Sequence, residues 1–171
     1  MEVDVKNIEV MVEGEGLLDI ETIRLQEGST GREIVTAVAL KSGFPAEEAI
    51  LLVEDSDELL DLTVVLTEAT LGGKVHHVHR ARQIAVTVFY NGSEKEKRFS
   101  PSARVQRVLD WAVSKEGFNI DPVIAPEMEL AIHDQTTALP KSAHIGRYVH
   151  HPHHCLALDL IRGTVPNGSS H

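Results

Sequence analysis

The sequence predicts an α+β protein made of two tandem units, each a strand hairpin followed by a helix and then further strands. Three observations carry this. Runs that alternate apolar and polar residues, as half-buried strands do, begin near residues 8 and 84. Runs with helical spacing follow near residues 30 and 102, so the same order recurs at offsets of 76 and 72 residues. The repeat is one of pattern, not of letters.

In the first half, Ile8-Glu9-Val10-Met11-Val12-Glu13-Gly14 alternates, and residues 20–25 do so again beyond a turn, which makes a hairpin. Thr30-Gly31-Arg32-Glu33 is a capping box. Ile34, Val35, Val38 and Ala39 give the helix one buried face, and Gly43 stands where it should stop. Residues 50–53 read as a buried strand, residues 59–62 as a short edge element and residues 75–79 as the closing strand. Gly72-Gly73 reads as the turn before it.

In the second half, residues 84–90 give the strongest strand signal of the chain. Asn91-Gly92 is a hairpin dipeptide, since a type I′ turn needs positive φ at both central positions. Residues 94–99 return as the partner strand. Ser100-Pro101-Ser102 is expected to start the helix with Ser102 as cap. Val105, Val108, Leu109, Ala112 and Val113 line its inner face, Trp111 sits in the core or at its rim, and Gly117 ends it. Residues 128–132 and 156–161 are the last strands. Each helix should lie across a four- or five-stranded mixed sheet. The first and last strands of each unit should run parallel at the centre, as a helix-containing connection permits. The units are expected over residues 1–81 and 82–163, with a tail over 164–171 and little slack in the connection at 80–83.

Charge and composition narrow the function. Net charge is −10, with 7 Lys plus Arg against 17 Asp plus Glu up to Arg82, and 9 against 9 after it. An acidic first half argues against nucleic acid, which demands a basic footprint, and favours a basic partner. The neutral second half is the expected docking surface. Aromatic residues make up 4%, so the core is aliphatic. Cys155 is the single cysteine, so no intramolecular disulfide forms, which suits a reducing, cytoplasmic location. The acidic start lacks the apolar run of a signal peptide. No apolar run approaches the roughly 18 residues that would mark a membrane span.

The ordered series of hairpin, helix and strands resembles the β-grasp plan of ubiquitin, twice over nearly the whole chain. Val86-Thr87-Val88-Phe89-Tyr90-Asn91-Gly92 and Phe99-Ser100-Pro101 resemble small bacterial ubiquitin-like domains. The two-unit layout is similar to the interferon-induced tandem ubiquitin-like modifiers and to their bacterial counterparts in antiphage conjugation operons. The resemblance implies two tandem β-grasp domains and a modifier that is not itself an enzyme and needs no cofactor. Its partners would be an activating enzyme, a carrier enzyme, a JAB-type zinc protease and target proteins joined through lysine, without nucleic acid or membrane.

The resemblance places Gly163 at the terminal glycine that is activated and transferred. Leu158, Asp159, Leu160, Ile161 and Arg162 would form the arm that enters the activating enzyme and the protease. Cleavage between Gly163 and Thr164 would remove the tail 164–171, whose Pro, Gly and Ser resist packing. Here one glycine replaces the usual pair, and Asp159 stands where ubiquitin has arginine, so a specialised activating enzyme is implied. The alternative is that Gly163 merely ends a strand and Gly168-Ser169-Ser170-His171 is an appended cloning scar.

Ten histidines fall mainly in two clusters, His76-His77-Val78-His79 and His150-His151-Pro152-His153-His154. Imidazoles are common metal ligands, and His150, His151, His153 and His154 beside Cys155 are the metal candidates. The plainer expectation is solvated loops before each last strand, with Cys155 a buried or half-buried strand residue rather than a nucleophile. Glu47-Glu48, Asp55, Asp57, Glu58 and Asp61 lack the spacing of a calcium loop and read as a solvated acidic face. The outer sheet face of a ubiquitin-like unit would carry recognition, with Leu130, Ile132, Leu156 and Leu158 as candidates. Three functions stay open: a conjugated modifier, a non-covalent adaptor, and a histidine-based metal-binding or pH-sensing module.

Overall fold

A computed structural model describes residues 6–163. It contains two four-stranded sheets, each crossed by a helix: two tandem β-grasp domains of the α+β class. The first comprises β1 (Asn7–Gly14), β2 (Glu21–Gln26), α1 (Gly31–Ser42), β3 (Ile50–Val53), the single turn α2 (Glu68–Leu71) and β4 (His76–His79). The second comprises β5 (Ile84–Tyr90), β6 (Ser93–Phe99), α3 (Val105–Val113), β7 (Met128–Ile132) and β8 (Cys155–Arg162). Strand order is β2-β1-β4-β3 and β6-β5-β8-β7, with the first and last strands of each domain parallel at the centre. No described helix is long and apolar enough to cross a membrane.

Local chemistry sets the elements as expected. The Glu33 carboxylate accepts from the Thr30 N–H at 2.7 Å and from its hydroxyl, which closes the start of α1. Gly43 ends that helix at φ 80°, where an L side chain would be strained. Asn91 and Gly92 both take positive φ, the geometry that lets β5 turn into β6. Ile34, Val35, Val38 and Ala39 pack on Val10, Val12, Leu51 and Val78. In the second domain, Val105, Val108, Leu109 and Ala112 pack on Val86, Val88, Leu156, Leu158 and Leu160. Trp111 meets Phe99 edge-on at the rim, with ring centroids 5.8 Å apart.

Several expectations are corrected. α3 begins at Val105 with Arg104 at its cap, not at Ser102. Residues 100–103 form a turn in which the Ala103 N–H donates to Ser100 O at 3.0 Å, and the Ser102 hydroxyl is drawn to Ser56 O of the first domain at 2.9 Å. The helix stops at Val113, and Gly117 lies in the turn beyond it. Residues 59–62 make a single bridge, Leu59 to Leu52, rather than a strand. Cys155 is exposed, because it opens β8 at the rim of the sheet. Leu130, Leu156 and Leu158 are buried on the helix side, and Ile132 packs against the same core. The outer face therefore carries the other alternating set: Thr87 and Phe89 on β5, and Asp159 and Ile161 on β8.

The connection is short and tied down. Ala81 is 1% exposed, and the Arg80 Nε donates to Glu15 Oε1 at 3.0 Å. Leu158→Ala should lower unfolding free energy by about 2–5 kcal/mol, because it opens a cavity in an aliphatic core. Val123→Ala, at a side chain 83% exposed, should change it by less than about 0.5 kcal/mol. Urea denaturation checks both values.

Candidate functional site

Residues 158–162 lie within β8 and not beyond it. Leu158 and Leu160 are core residues, so of the expected arm only Asp159, Ile161 and Arg162 are presented outward or at the rim. The reason is the alternation itself: a strand that buries every second residue cannot also extend free of its sheet. Arg162 Nε donates to Glu127 Oε2 at 2.7 Å, and the Gly163 N–H donates to Glu127 O at 2.7 Å. A Cβ at Gly163 would come within 3.0 Å of the Glu129 carboxyl carbon, so the position is tight. Thr164 lies outside the described residues.

Beside this strand end runs an open groove of about 570 Å³, lined by Phe89, Asn91, Gly92, Asp159, Ile161 and Arg162 among others. At its edge Asp159 accepts from His133 Nδ1 at 2.7 Å and from the Asp134 N–H at 2.9 Å. The His133 ring stacks on Phe89, with centroids 4.3 Å apart. His133, Asp134 and Asp159 hold three donor atoms within 4.8 Å of one another, as metal ligands do. Yet both Asp159 oxygens are already engaged. The Asp159 hydrogen bond raises the His133 pKa above its ordinary value. These hydrogen bonds tie the outer face of β8 to the turn after β7. Sequence reasoning missed them, because only the register that sets Ala131 and Phe89 opposite Asp159 brings these residues together.

The histidines divide. His150, His151, His153 and His154 are exposed, as expected of a loop. The rings of His151 and His154 stand 6.4 Å apart, edge to face. Among the described residues, none of these four belongs to a cluster of three or more donors with metal-ligand spacing. His76, His77 and His79 are 0–1% exposed, which overturns the solvated-loop expectation for the first cluster. They occupy β4 itself, and successive side chains point to opposite faces. His77 and His79 lie on the face away from α1, where residues 144–151 of the second domain cover them. His79 Nε2 meets Val149 O at 2.8 Å and Gly146 O at 3.1 Å, while its Nδ1 accepts the Ala81 N–H at 2.8 Å. His77 Nδ1 faces His144 Nδ1 at 2.9 Å.

Carboxylates of the first domain meet cations of the second at the same junction. Glu13 Oε1 accepts from Arg147 Nε at 3.0 Å and from the His144 N–H at 3.2 Å. Glu15 accepts from Arg80 and from the His151 N–H at 3.0 Å. Burial works to raise the Glu15 pKa, but Arg80, the His151 N–H and His79 outweigh it and hold it at about 2. Asp55 accepts from the Arg104 N–H at 2.9 Å and from its Nε at 2.6 Å, and Asp57 pairs with Arg107 at 3.1 Å. The acidic first half thus finds basic partners inside the chain.

Residues 85–163 match a family model described as BilA ubiquitin-like domain 2. No match to a curated protein was found. Among solved structures, the chain is similar to the N-terminal ubiquitin-like domain of the 4931431F19Rik protein, at 20% identity and a TM-score of 0.36. That match covers 46% of this chain and 78% of the other. A chain of the pParkin–pUb–UbcH7 complex is similar at 17% identity and a TM-score of 0.37, over 47% of this chain and 25% of its own length.

The Asp159 ion pair makes a signed prediction. Its stabilisation is fully present below the unfolded histidine pKa of about 6.5 and is lost as pH rises through the higher folded value. In NMR titration His133 should titrate above 6.5. Asp159→Asn, which still accepts the Asp134 N–H, should bring it back toward 6.5 and remove stability at pH 6 but not at pH 9.

Proposed function

We propose that the chain is the precursor of a ubiquitin-like protein modifier acting in the cytoplasm in bacterial antiphage defence. In this reading it consists of units 1–81 and 82–163 and a removable tail 164–171. It is cut between Gly163 and Thr164 by a JAB-type metalloprotease, adenylated by an activating enzyme, passed to a carrier enzyme as a thioester, and joined to a target lysine. The chemistry belongs to those partners, and the chain contributes a carboxylate unhindered by a side chain. One observation carries the reading: the match to a ubiquitin-like family and strand β8 both run to the Arg162-Gly163 step, with eight residues beyond. Asp159, Ile161 and Arg162, on the rim of the groove, are the residues the partner enzymes would touch.

The adaptor reading draws on a different observation. Arg162 and Gly163 are both bound to Glu127, so the described chain shows no free arm. Cleavage under the modifier reading must therefore involve release of that pairing. Incubation with a JAB-type metalloprotease should shift the intact mass by the loss of residues 164–171 alone. Loss of any other fragment, or none, speaks against it. In cells holding the conjugation enzymes, the wild type should give higher-mass species that survive denaturing electrophoresis, and Gly163→Glu should give none. Partners recovered only under native conditions would favour the adaptor.

A further inference from the structure

The outer face of the first sheet is covered from within the chain. Glu13 on β1 stands in register with His77 on β4, and His77 with Leu52 on β3, so the three side chains share one face. All three are 0–1% exposed, because residues 144–151 lie over them. The contact is polar at its centre. Glu13 holds Arg147 and the His144 N–H. His144 Nε2 lies 2.9 Å from Glu54 Oε1 and 3.5 Å from Glu13 Oε2, which has no hydrogen bond of its own.

Counting protons on the two facing imidazoles shows what this arrangement tolerates. The hydrogen bonds assign the tautomers. His144 Nε2 carries a proton, because it faces two carboxylates. The two Nδ1 atoms, 2.9 Å apart, have room for one proton between them. Those two protons leave both rings neutral. The remaining position, His77 Nε2, has no partner, and a Cβ on Gly146 would lie only 2.4 Å from it. A third proton, whichever ring bears the charge, puts an N–H at His77 Nε2, which is buried and has no acceptor in reach. A buried donor without an acceptor is costly, and in the separated state water supplies the acceptor.

We propose that the His77–His144 pair is a proton-operated latch, which releases the outer face of the first sheet from residues 144–151 as the surroundings turn mildly acidic. The charged and titratable groups around it are Glu13 from β1, Glu54 after β3, His79 on β4 and Arg147 in the covering turn. Arg147 and His79 oppose further positive charge on His77, and burial does so most of all, holding its pKa well below the ordinary histidine value. His79, also lowered chiefly by burial, adds in the same direction. A lowered folded pKa means that the closed state is favoured above about pH 6.5 and loses that advantage as pH falls below it. The Glu15–Arg80 pair stays intact through this window, since Glu15 titrates near 2. The latch is independent of whether Gly163 is conjugated.

Hydrogen exchange on the full chain tests it. The His144 and His151 amides donate to Glu13 and Glu15 across the junction. Their protection, corrected for intrinsic exchange, should fall about tenfold per pH unit below pH 6.5 for one linked proton. The ladder amides at the centre of each sheet should keep theirs. Unchanged protection down to pH 5, or equal loss across both sheets, overturns the proposal. His77→Asn keeps a donor toward His144 Nδ1 and can turn its amide oxygen to a protonated His144, so protection should persist to pH 5.5. An undiminished pH response in that variant sinks the assignment to His77. Should the variant not fold, small-angle scattering of the wild type decides. The radius of gyration should rise between pH 7.5 and 5.5 with far-ultraviolet ellipticity retained, and a constant radius overturns the latch.

Discussion

Glu13 and Glu15 are carboxylates at 0% and 2% exposure, and everything about the junction follows from the need to satisfy them. A carboxylate taken out of water is tolerated only when paired and hydrogen-bonded. Arg147 and the His144 amide answer Glu13, while Arg80 and the His151 amide answer Glu15. Of these partners the His144 and His151 amides and Arg147 lie along residues 144–151, so satisfying both acids fixes the course of that segment over the first sheet. The turn after β3 adds a second hold, with Asp55 gripping the first residues of α3 through Arg104. Position and orientation of the second domain are thereby tied to charge pairing.

The same pairing makes the two domains unequal. The first has its outer sheet face covered at Glu13, Leu52, His77 and His79. The second leaves Thr87, Phe89, Asp159 and Ile161 at least partly accessible on the corresponding face, beside the groove and the strand end. One face is spent on the junction, and the other adjoins the terminus. A reading in which recognition and processing belong to the second domain needs nothing further from the first than to hold it.

The architecture was legible because its signals are local. Alternation at Ile8 and Ile84, the box at Thr30 and Glu33, Asn91-Gly92 and the apolar helix faces each report the element they sit in. The junction was not legible, because its signals are paired across the chain. His77 and His144 are 67 residues apart, and Glu13 and Arg147 are 134 apart. The histidines of β4 read as a polar loop by composition, and only a partner face covering them makes a polar strand residue a buried one. Ser102 misled for a related reason: a serine before a helical run usually caps it, but here the acceptor at Ser56 across the junction took the hydroxyl. The charge asymmetry between the halves does not name these contacts either: Glu13, Asp55 and Asp57 meet Arg147, Arg104 and Arg107 of the second half, while Glu15 meets Arg80 of the first.

A junction of this composition differs from an apolar one in what it responds to. Apolar burial is nearly indifferent to pH, so a Leu- and Val-lined seam would hold the domains in one arrangement under all mild conditions. Replacing a buried ionic group by well-packed apolar residues is often neutral or stabilising, so the polar junction is not explained by strength alone. What it supplies is direction and a condition. The fixed forks of Arg104 and Arg147 accept only one approach of the carboxylates, whereas the imidazole pair holds only while it carries two protons and not three. Gly146 belongs to the same logic, since any side chain there would meet His77 Nε2 and Pro101 and prop the seam apart. The glycine, the paired acids and the facing imidazoles thus form a single contact whose geometry is exact about register and whose closure depends on the proton count.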